Sequence, residues 1–122
     1  MGEVFVKTKL INPVTRRTKE IKFLVDTGAT ISIVPEEILR SLHIKPIDKD
    51  NFELADGKTK VFKFGEATIK LNGKSRTFTV AFGARKSQPL LGLVVLETLG
   101  LKVDPVSGKL IKRHLMMYRV KG

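Results

Sequence analysis

The chain has 122 residues, 42% of them hydrophobic, which predicts one domain over residues 1–122 with a single core. It has no cysteine, which excludes a disulfide scaffold, a thiol nucleophile and a cysteine-bound zinc site. It also lacks any apolar run near the ~20 residues that a membrane-spanning helix needs. Lysine and arginine total 23 against 12 acidic residues, a formal net charge of +11 at pH 7.

Short strands separated by turn signals dominate the first part of the chain. Strands are predicted over residues 4–10, 18–25 and 31–34. The turn-prone pair Asn12-Pro13 predicts a hairpin between the first two strands. A helix is predicted over residues 35–42, because Pro35 suits a first helical turn and two glutamates follow it near the positive end of the helix dipole.

Two glycine pairs predict hairpin turns further along the chain. Asp56-Gly57 and Asn72-Gly73 are both typical of two-residue turns, whose central residues have positive φ. A second helix is predicted over residues 93–99, with Gly100 at its end. The remaining predicted strands are 51–55, 58–64, 67–71, 77–82, 101–104, 109–111 and 114–120. The class is therefore mostly β, with two short helices.

Asp26 is the strongest candidate for a catalytic group. It follows an apolar strand and precedes Thr27 and Gly28, so its carboxylate emerges from the core on a loop that a glycine allows to turn sharply. An acid in such a place is a candidate general acid or base. Asp-Thr-Gly is also a common tripeptide that can form a simple turn after a strand, so both interpretations stay open on this motif alone.

Residues 21–104 resemble the retropepsin-like aspartic proteases, single-domain enzymes of the retroviral type. Four features appear at the spacing of that family: apolar residues before Asp26-Thr27-Gly28-Ala29, a hairpin with Gly57 at its tip, a strand pair around Asn72-Gly73, and Leu90-Leu91-Gly92 before a helix. Residues 105–122 form a C-terminal extension beyond the resemblance.

The resemblance implies an all-β, small closed β-barrel-like acid-protease fold with one or two short helices. It also implies a C2 homodimer with the active site at the interface, since this chain has one Asp-Thr-Gly where two carboxylates are needed. The implied activity is that of an aspartic endopeptidase that hydrolyses peptide or protein substrates with an activated water. The implied catalytic residues are Asp26, Thr27 and Gly28. The implied substrate-binding residues are Ala29, Thr30, Ala55, Asp56, Gly57, Leu90, Leu91 and Gly92, with residues 55–57 as the tip of a flap over the substrate.

Two features differ from the retroviral pattern. Thr30 and Leu93 stand where retroviral members carry an acid and an arginine that pair, so neither charge is left alone here. The extension over residues 105–122 includes the predicted strand 114–120. Either this extension and the predicted strand 4–10 contribute to the dimer interface, or the extension forms an edge strand in the sheet of its own subunit.

A second function remains open from the sequence: a catalytically inactive binding module of the same fold, for peptides or, through its basic surface, for nucleic acid. The basic residues are spread along the chain and alternate with apolar ones, which favours a solvated surface. The two histidines, His43 and His114, form no metal-binding pair, so we expect no metal and no cofactor. The N-terminal residues lack an apolar stretch, so we expect no signal peptide and a cytoplasmic protein. The many lysines and single glutamine fit a thermophilic source.

Overall fold

The structure is a computed structural model of the chain, and it describes residues 2–54 and 56–113. The elements of the described residues are β1 (Phe5–Ile11), β2 (Thr18–Val25), β3 (Ser32–Pro35), α1 (Glu36–Ser41), β4 (Asp48–Glu53), β5 (Thr59–Leu71), β6 (Lys74–Gly83), β7 (Leu90–Leu91), α2 (Leu93–Thr98), β8 (Leu101–Val103) and β9 (Leu110–Lys112). The predicted mostly-β class with two short helices is confirmed. The predicted strand 114–120 lies outside the described residues.

The first hairpin joins β1 and β2, and Asn12 organises its turn. The antiparallel register ends with Ile11 opposite Thr18, as the sequence predicts. The Asn12 side-chain oxygen accepts the N–H groups of Val14 at 2.8 Å and Thr15 at 3.1 Å. Its amide nitrogen donates to the Leu42 carbonyl oxygen at the end of α1, at 2.9 Å. One buried side chain therefore closes the turn and fixes the helix to it.

The other hairpin turns differ from each other. In the turn between β5 and β6, Asn72 and Gly73 have φ of 58° and 77°, which confirms the predicted two-residue turn. Between β4 and β5 the Leu54 N–H donates to the Lys58 carbonyl oxygen at 2.7 Å. Three residues therefore lie between Leu54 and Lys58, the last hydrogen-bonded pair of this hairpin. The predicted two-residue Asp-Gly turn is wrong. Gly57 still supplies the positive φ, of 82°.

Seven strands form one sheet in the order β1-β2-β7-β3-β6-β5-β4, and β1 also pairs with β5. The pairing of β1 with β5 joins six of these strands in a ring, but β4 lies outside the ring and pairs with β5 alone. The sheet as a whole therefore keeps an open edge, and the predicted closed barrel is not found. This edge follows from the length of β5, where the sequence predicts two strands, 58–64 and 67–71. Its residues 59–63 pair only with β4, and its later residues pair with β6 and β1.

A single core cluster is formed by side chains from the sheet and from both helices. Its fully buried side chains come from strands and helices alike, each contributing about 1.5–3 kcal/mol to stability. The largest are Phe23, Leu10, Leu39, Ile69, Leu91 and Leu96. None of the helices in the described part of the chain is both long and apolar enough to cross a membrane.

After α2, Gly100 has φ of 70° and ends the helix as predicted. The predicted pairing of the two following strands is also confirmed, as β8 with β9. In the turn between them, the Ser107 hydroxyl and the Val106 N–H both donate to the Asp104 carboxylate, at 2.8 Å and 3.0 Å. These two hydrogen bonds hold the pKa of Asp104 below its ordinary value, the Ser107 bond having the larger effect.

We predict that Asn12→Asp lowers the free energy of unfolding by about 3 kcal/mol at neutral pH, measured by urea denaturation. The replacement keeps the shape of the side chain, but a carboxylate oxygen that cannot donate takes the place of the amide nitrogen that donates to the Leu42 carbonyl oxygen. Because Asn12 is only 5% exposed, water does not compensate for the loss. The matched control is Asn72→Asp in the exposed turn of β5 and β6, where aspartate also suits the backbone. Equal losses in the two variants would contradict this role of Asn12.

Candidate active site

The position of Asp26 is set by a short parallel pairing. β2 ends at Val25, and its last two residues, Leu24 and Val25, pair in parallel with Leu90 and Leu91 of β7. The Asp26 N–H then donates to the Leu91 carbonyl oxygen at 3.0 Å. Asp26 therefore leaves the sheet at a fixed point, with its backbone still bonded to the core.

The loop after Asp26 is closed by two hydrogen bonds to that residue. The Gly28 N–H donates to the Asp26 Oδ1 at 3.0 Å, and the Ala29 N–H donates to the Asp26 carbonyl oxygen at 3.1 Å. A Cβ at position 28 would lie 3.2 Å from Oδ1, tighter than most real contacts. Glycine thus lets the backbone approach the carboxylate closely and orient it.

Gly92 fixes the far side of the same loop. Its N–H donates to the buried Ser32 hydroxyl at 2.9 Å. A Cβ at this position would lie 2.7 Å from both the Thr30 carbonyl oxygen and the Ile31 carbonyl carbon, so no other residue fits without moving the backbone. The Leu93 N–H donates to the Ala29 carbonyl oxygen at 2.8 Å. The start of α2 is therefore bonded directly to the Asp26 loop.

A cavity of about 430 Å³ lies between the Asp26 loop and the hairpin of β4 and β5. Its lining is mostly apolar, with Asp26 at one side. The residues are Asp26, Gly28, Ala29, Thr30, Ile31, Ile33, Asn51, Phe52, Glu53, Leu54, Phe62, Ala81 and Leu90. An open, largely apolar cleft with a few polar groups is typical of a ligand-binding site.

The hairpin side of this cavity is built on aromatic contacts. The Phe52 ring lies 5.9 Å from the Phe62 ring and 6.2 Å from the Phe64 ring, centroid to centroid, both edge to face. This arrangement is the favoured one for aromatic pairs. The hairpin therefore presents a packed apolar surface to the Asp26 loop.

The structure brings five of the predicted site residues together in the cavity lining: Asp26, Gly28, Ala29, Thr30 and Leu90. Leu91 instead lies in the core with 0% exposure, and Gly92 is buried against the backbone of the Asp26 loop. Both shape the site from behind and do not line the cavity. Asp56 and Gly57 are exposed at the hairpin end, outside the cavity lining, and Ala55 lies outside the described residues.

Sequence reasoning missed the hairpin residues that do line the cavity, namely Asn51, Phe52, Glu53, Leu54 and Phe62. The signal that was available is the pairing of the two predicted strands, with an aromatic residue on each. The predicted substrate contacts of residues 55–57 remain a prediction.

A second concave surface, of about 570 Å³, lies on the other side of Asp26. Asp26 and Thr27 are at its edge, and most other lining residues are apolar. These include Val4, Leu24, Val25, Leu93, Leu96, Leu101 and Val103. Thr27 is exposed, and its hydroxyl has no hydrogen-bond partner among the residues that the structure describes. Within residues 2–54 and 56–113, no cluster of three or more histidine, cysteine, aspartate or glutamate side chains fits a metal ion.

Comparison with known families agrees with this geometry. A sequence model of the family described as "gag-polyprotein putative aspartyl protease" matches residues 13–98. The match covers most of the chain, including the Asp26 loop, the hairpins of β4–β5 and β5–β6, and α2. The chain therefore belongs to this family, and its predicted resemblance to the retropepsin-like aspartic proteases is confirmed.

Solved structures show the same fold. A retropepsin-like aspartic protease from Rickettsia conorii is 20% identical, with a TM-score of 0.56 over 84% of this chain and 77% of that one. The retroviral protease-like domain of Ddi1 from Leishmania major is 18% identical, with a TM-score of 0.58 over 94% of this chain and 91% of that domain. No curated protein sequence matches the chain significantly.

We predict that Ser32→Ala lowers the free energy of unfolding by about 1–3 kcal/mol in urea denaturation, because it leaves the buried Gly92 N–H without its acceptor. Ser32 is 1% exposed, so water does not replace the lost hydroxyl. The matched control is Ser41→Ala, where the exposed hydroxyl donates to the Ile38 carbonyl oxygen. That variant should stay within about 0.5 kcal/mol of the parent. A Ser32 variant as stable as the Ser41 variant would contradict the prediction.

Proposed function

We propose that the chain is one subunit of a homodimeric aspartic endopeptidase, in which Asp26 of each subunit supplies half of the catalytic pair. The observation that carries the proposal is the position of the Asp26 carboxylate. It lines a peptide-sized cleft on one side and a concave apolar surface on the other. A carboxylate at that border can act on a substrate in the cleft while it meets a second carboxylate across the concave surface.

The chemistry requires two carboxylates in contact. Like charges so close cannot both ionise, so the pair shares one proton. The ionised carboxylate accepts a proton from water, which attacks the peptide carbonyl, while the protonated carboxyl donates to the carbonyl oxygen. In this chain the Gly28 N–H donates to the Asp26 Oδ1 and orients the group. The role proposed for Gly28 is thus to position the carboxylate.

The cleft favours an extended peptide with apolar side chains next to the bond that is cut. Ile31, Ile33 and Leu90 line it, and Phe52 and Phe62 line it from the hairpin. The hairpin of β4 and β5 acts as a flap, because residues 59–63 pair with β4 alone and can move as a unit. Closure of the flap excludes water and lets the peptide bind as an added strand.

Thr27 belongs to the subunit contact in this proposal. Its exposed side chain borders the concave surface, beside Val25 and Leu93. In a symmetric dimer the hydroxyl of each Thr27 meets the Asp26 loop of the other subunit and donates to its backbone. The contact then brings the two Asp26 loops into register.

We expect Asp26→Asn to reduce peptide cleavage by roughly 10³-fold or more, because general acid–base groups contribute effects of about that size. The amide oxygen of asparagine still accepts the Gly28 N–H, so the fold is kept. The measurement is digestion of a peptide library from acid to neutral pH, read by mass spectrometry. The matched control is Asp104→Asn, where the side chain also accepts the N–H of the residue two positions on, and cleavage should persist.

Two outcomes would overturn the proposal. Full cleavage by the Asp26 variant would remove the catalytic role of that residue. Glu53 also lines the cleft, so Glu53→Gln should be tested beside it. Loss of cleavage in that variant as complete as in Asp26→Asn would make Glu53 the second carboxylate, and a single chain would then suffice.

We expect Thr27→Ala to weaken the dimer by about 1–3 kcal/mol, since symmetry removes two hydrogen bonds at once. Thr27→Ser keeps the hydroxyl and should restore dimerisation. Sedimentation equilibrium over a range of protein concentrations gives the dissociation constants. The control is Thr79→Ala, a change to an exposed threonine on β6 that should leave the constant unchanged. A Thr27→Ala dimer as stable as the control would contradict the proposed contact.

A further inference from the structure

Four exposed lysines face each other on the outer side of β1, β2 and β5. The strand registers place Lys7 directly opposite Lys22, and Lys9 directly opposite Lys70. Like charges directly across two strands destabilise a sheet. Because residues two apart share one side of a strand, Lys7 and Lys9 continue the same row along β1. These opposed lysines therefore lower the stability of the sheet and do not add to it.

Within the described residues these lysines are not neutralised by ion pairs. The two salt bridges found there join Arg40 to Glu36 and Arg113 to Glu97, both away from this face. Glu20 is the acid of the face and lies opposite Lys9, but forms no ion pair within 4.0 Å. A shallow depression of about 240 Å³ lies among these groups, lined by Lys7, Lys9, Glu20, Lys70, Asn72 and Gly73.

An exposed aromatic ring continues the row of lysines. Phe5 is two residues before Lys7 on the same side of β1, and it is 42% exposed. The Lys22 Nζ lies 5.0 Å from the centre of its ring. A sheet surface that combines lysines with an exposed aromatic ring is suited to single-stranded nucleic acid, since the cations meet phosphates and the ring stacks on a base.

We propose that this basic face, made of Phe5, Lys7, Lys9, Lys22 and Lys70, binds single-stranded nucleic acid. Lys7, Lys9 and Lys70 contact successive phosphates along the depression, and a base stacks against Phe5. A duplex fits less well, because its bases are already stacked on one another. The site shares no residue with the cleft beside Asp26, so it is independent of the proposed protease activity.

The test is fluorescence anisotropy of a labelled single-stranded RNA of about 12 uridines, titrated with the full chain from about 50 to 200 mM salt. Three or four phosphate contacts predict a slope of about −2 to −3 in log affinity against log salt. The double variant Lys7→Ala with Lys70→Ala should flatten the slope by about 1.4. The matched control is Lys49→Ala with Lys63→Ala, another directly opposed lysine pair, on the hairpin of β4 and β5, and it should keep the slope.

Two further variants separate specific contacts from net charge. Glu20→Gln should tighten binding, because it removes a negative charge from the lining of the depression. Phe5→Ala should weaken binding about tenfold without changing the salt slope, since stacking releases no counterions. The lysine variants should be at least as stable as the parent, because they remove repulsion between opposed charges.

Either of two results would overturn the proposal. One is an equal loss of slope in the two lysine double variants, which would show that only the overall charge of +11 matters. The other is equally tight binding of a duplex of the same length or of polyglutamate, which would show a surface for polyanions in general.

Discussion

The backbone at Gly92 lies so close to Thr30 and Ile31 that no side chain fits between them. This contact joins the two parts of the chain that build the site. The Gly92 N–H bonds to Ser32, the Leu93 N–H bonds to Ala29, and the Asp26 N–H bonds to Leu91. A catalytic group must be held within a fraction of an ångström, and groups fixed on rigid elements are held best. Here the rigidity comes from β7, only two residues long, inserted between β2 and β3.

The Asp26 loop has one carboxylate, and it lies at the border of two concave surfaces. The cleft under the hairpin has a volume of about 430 Å³ and a mostly apolar lining, and most residues that line the other surface are apolar as well. Family membership fits a protease, but the fold alone does not guarantee activity. The geometry of this chain supports the activity independently of the family: Gly28 orients the Asp26 carboxylate, and Thr27 is exposed beside the apolar surface.

Much of this arrangement was predictable from the sequence, and the limits have physical causes. β2 ends where an apolar alternation meets Asp26, and Asn72-Gly73 forms its turn, because both signals are local. β7 has only two residues, which is too short to show the alternation of a strand. The sequence therefore predicts Leu91 as a substrate-binding residue, whereas the side chain lies in the core. The prediction of a closed barrel was wrong because the first residues of the long strand β5 extend past β6 and pair only with β4. Phe52 and Phe62 were missed because contacts across a cavity depend on how distant elements pack.

The central claim, that Asp26 is half of a site, is tested most directly by mixing subunits. Wild-type and Asp26→Asn chains are unfolded together, refolded at varied ratios and constant total concentration, and assayed for peptide cleavage. If activity needs two copies of Asp26, it follows the square of the wild-type fraction, so an equal mixture has about a quarter of the full activity. An activity that falls in proportion to the wild-type fraction, to about half in the equal mixture, would show that each chain acts alone and would contradict the account.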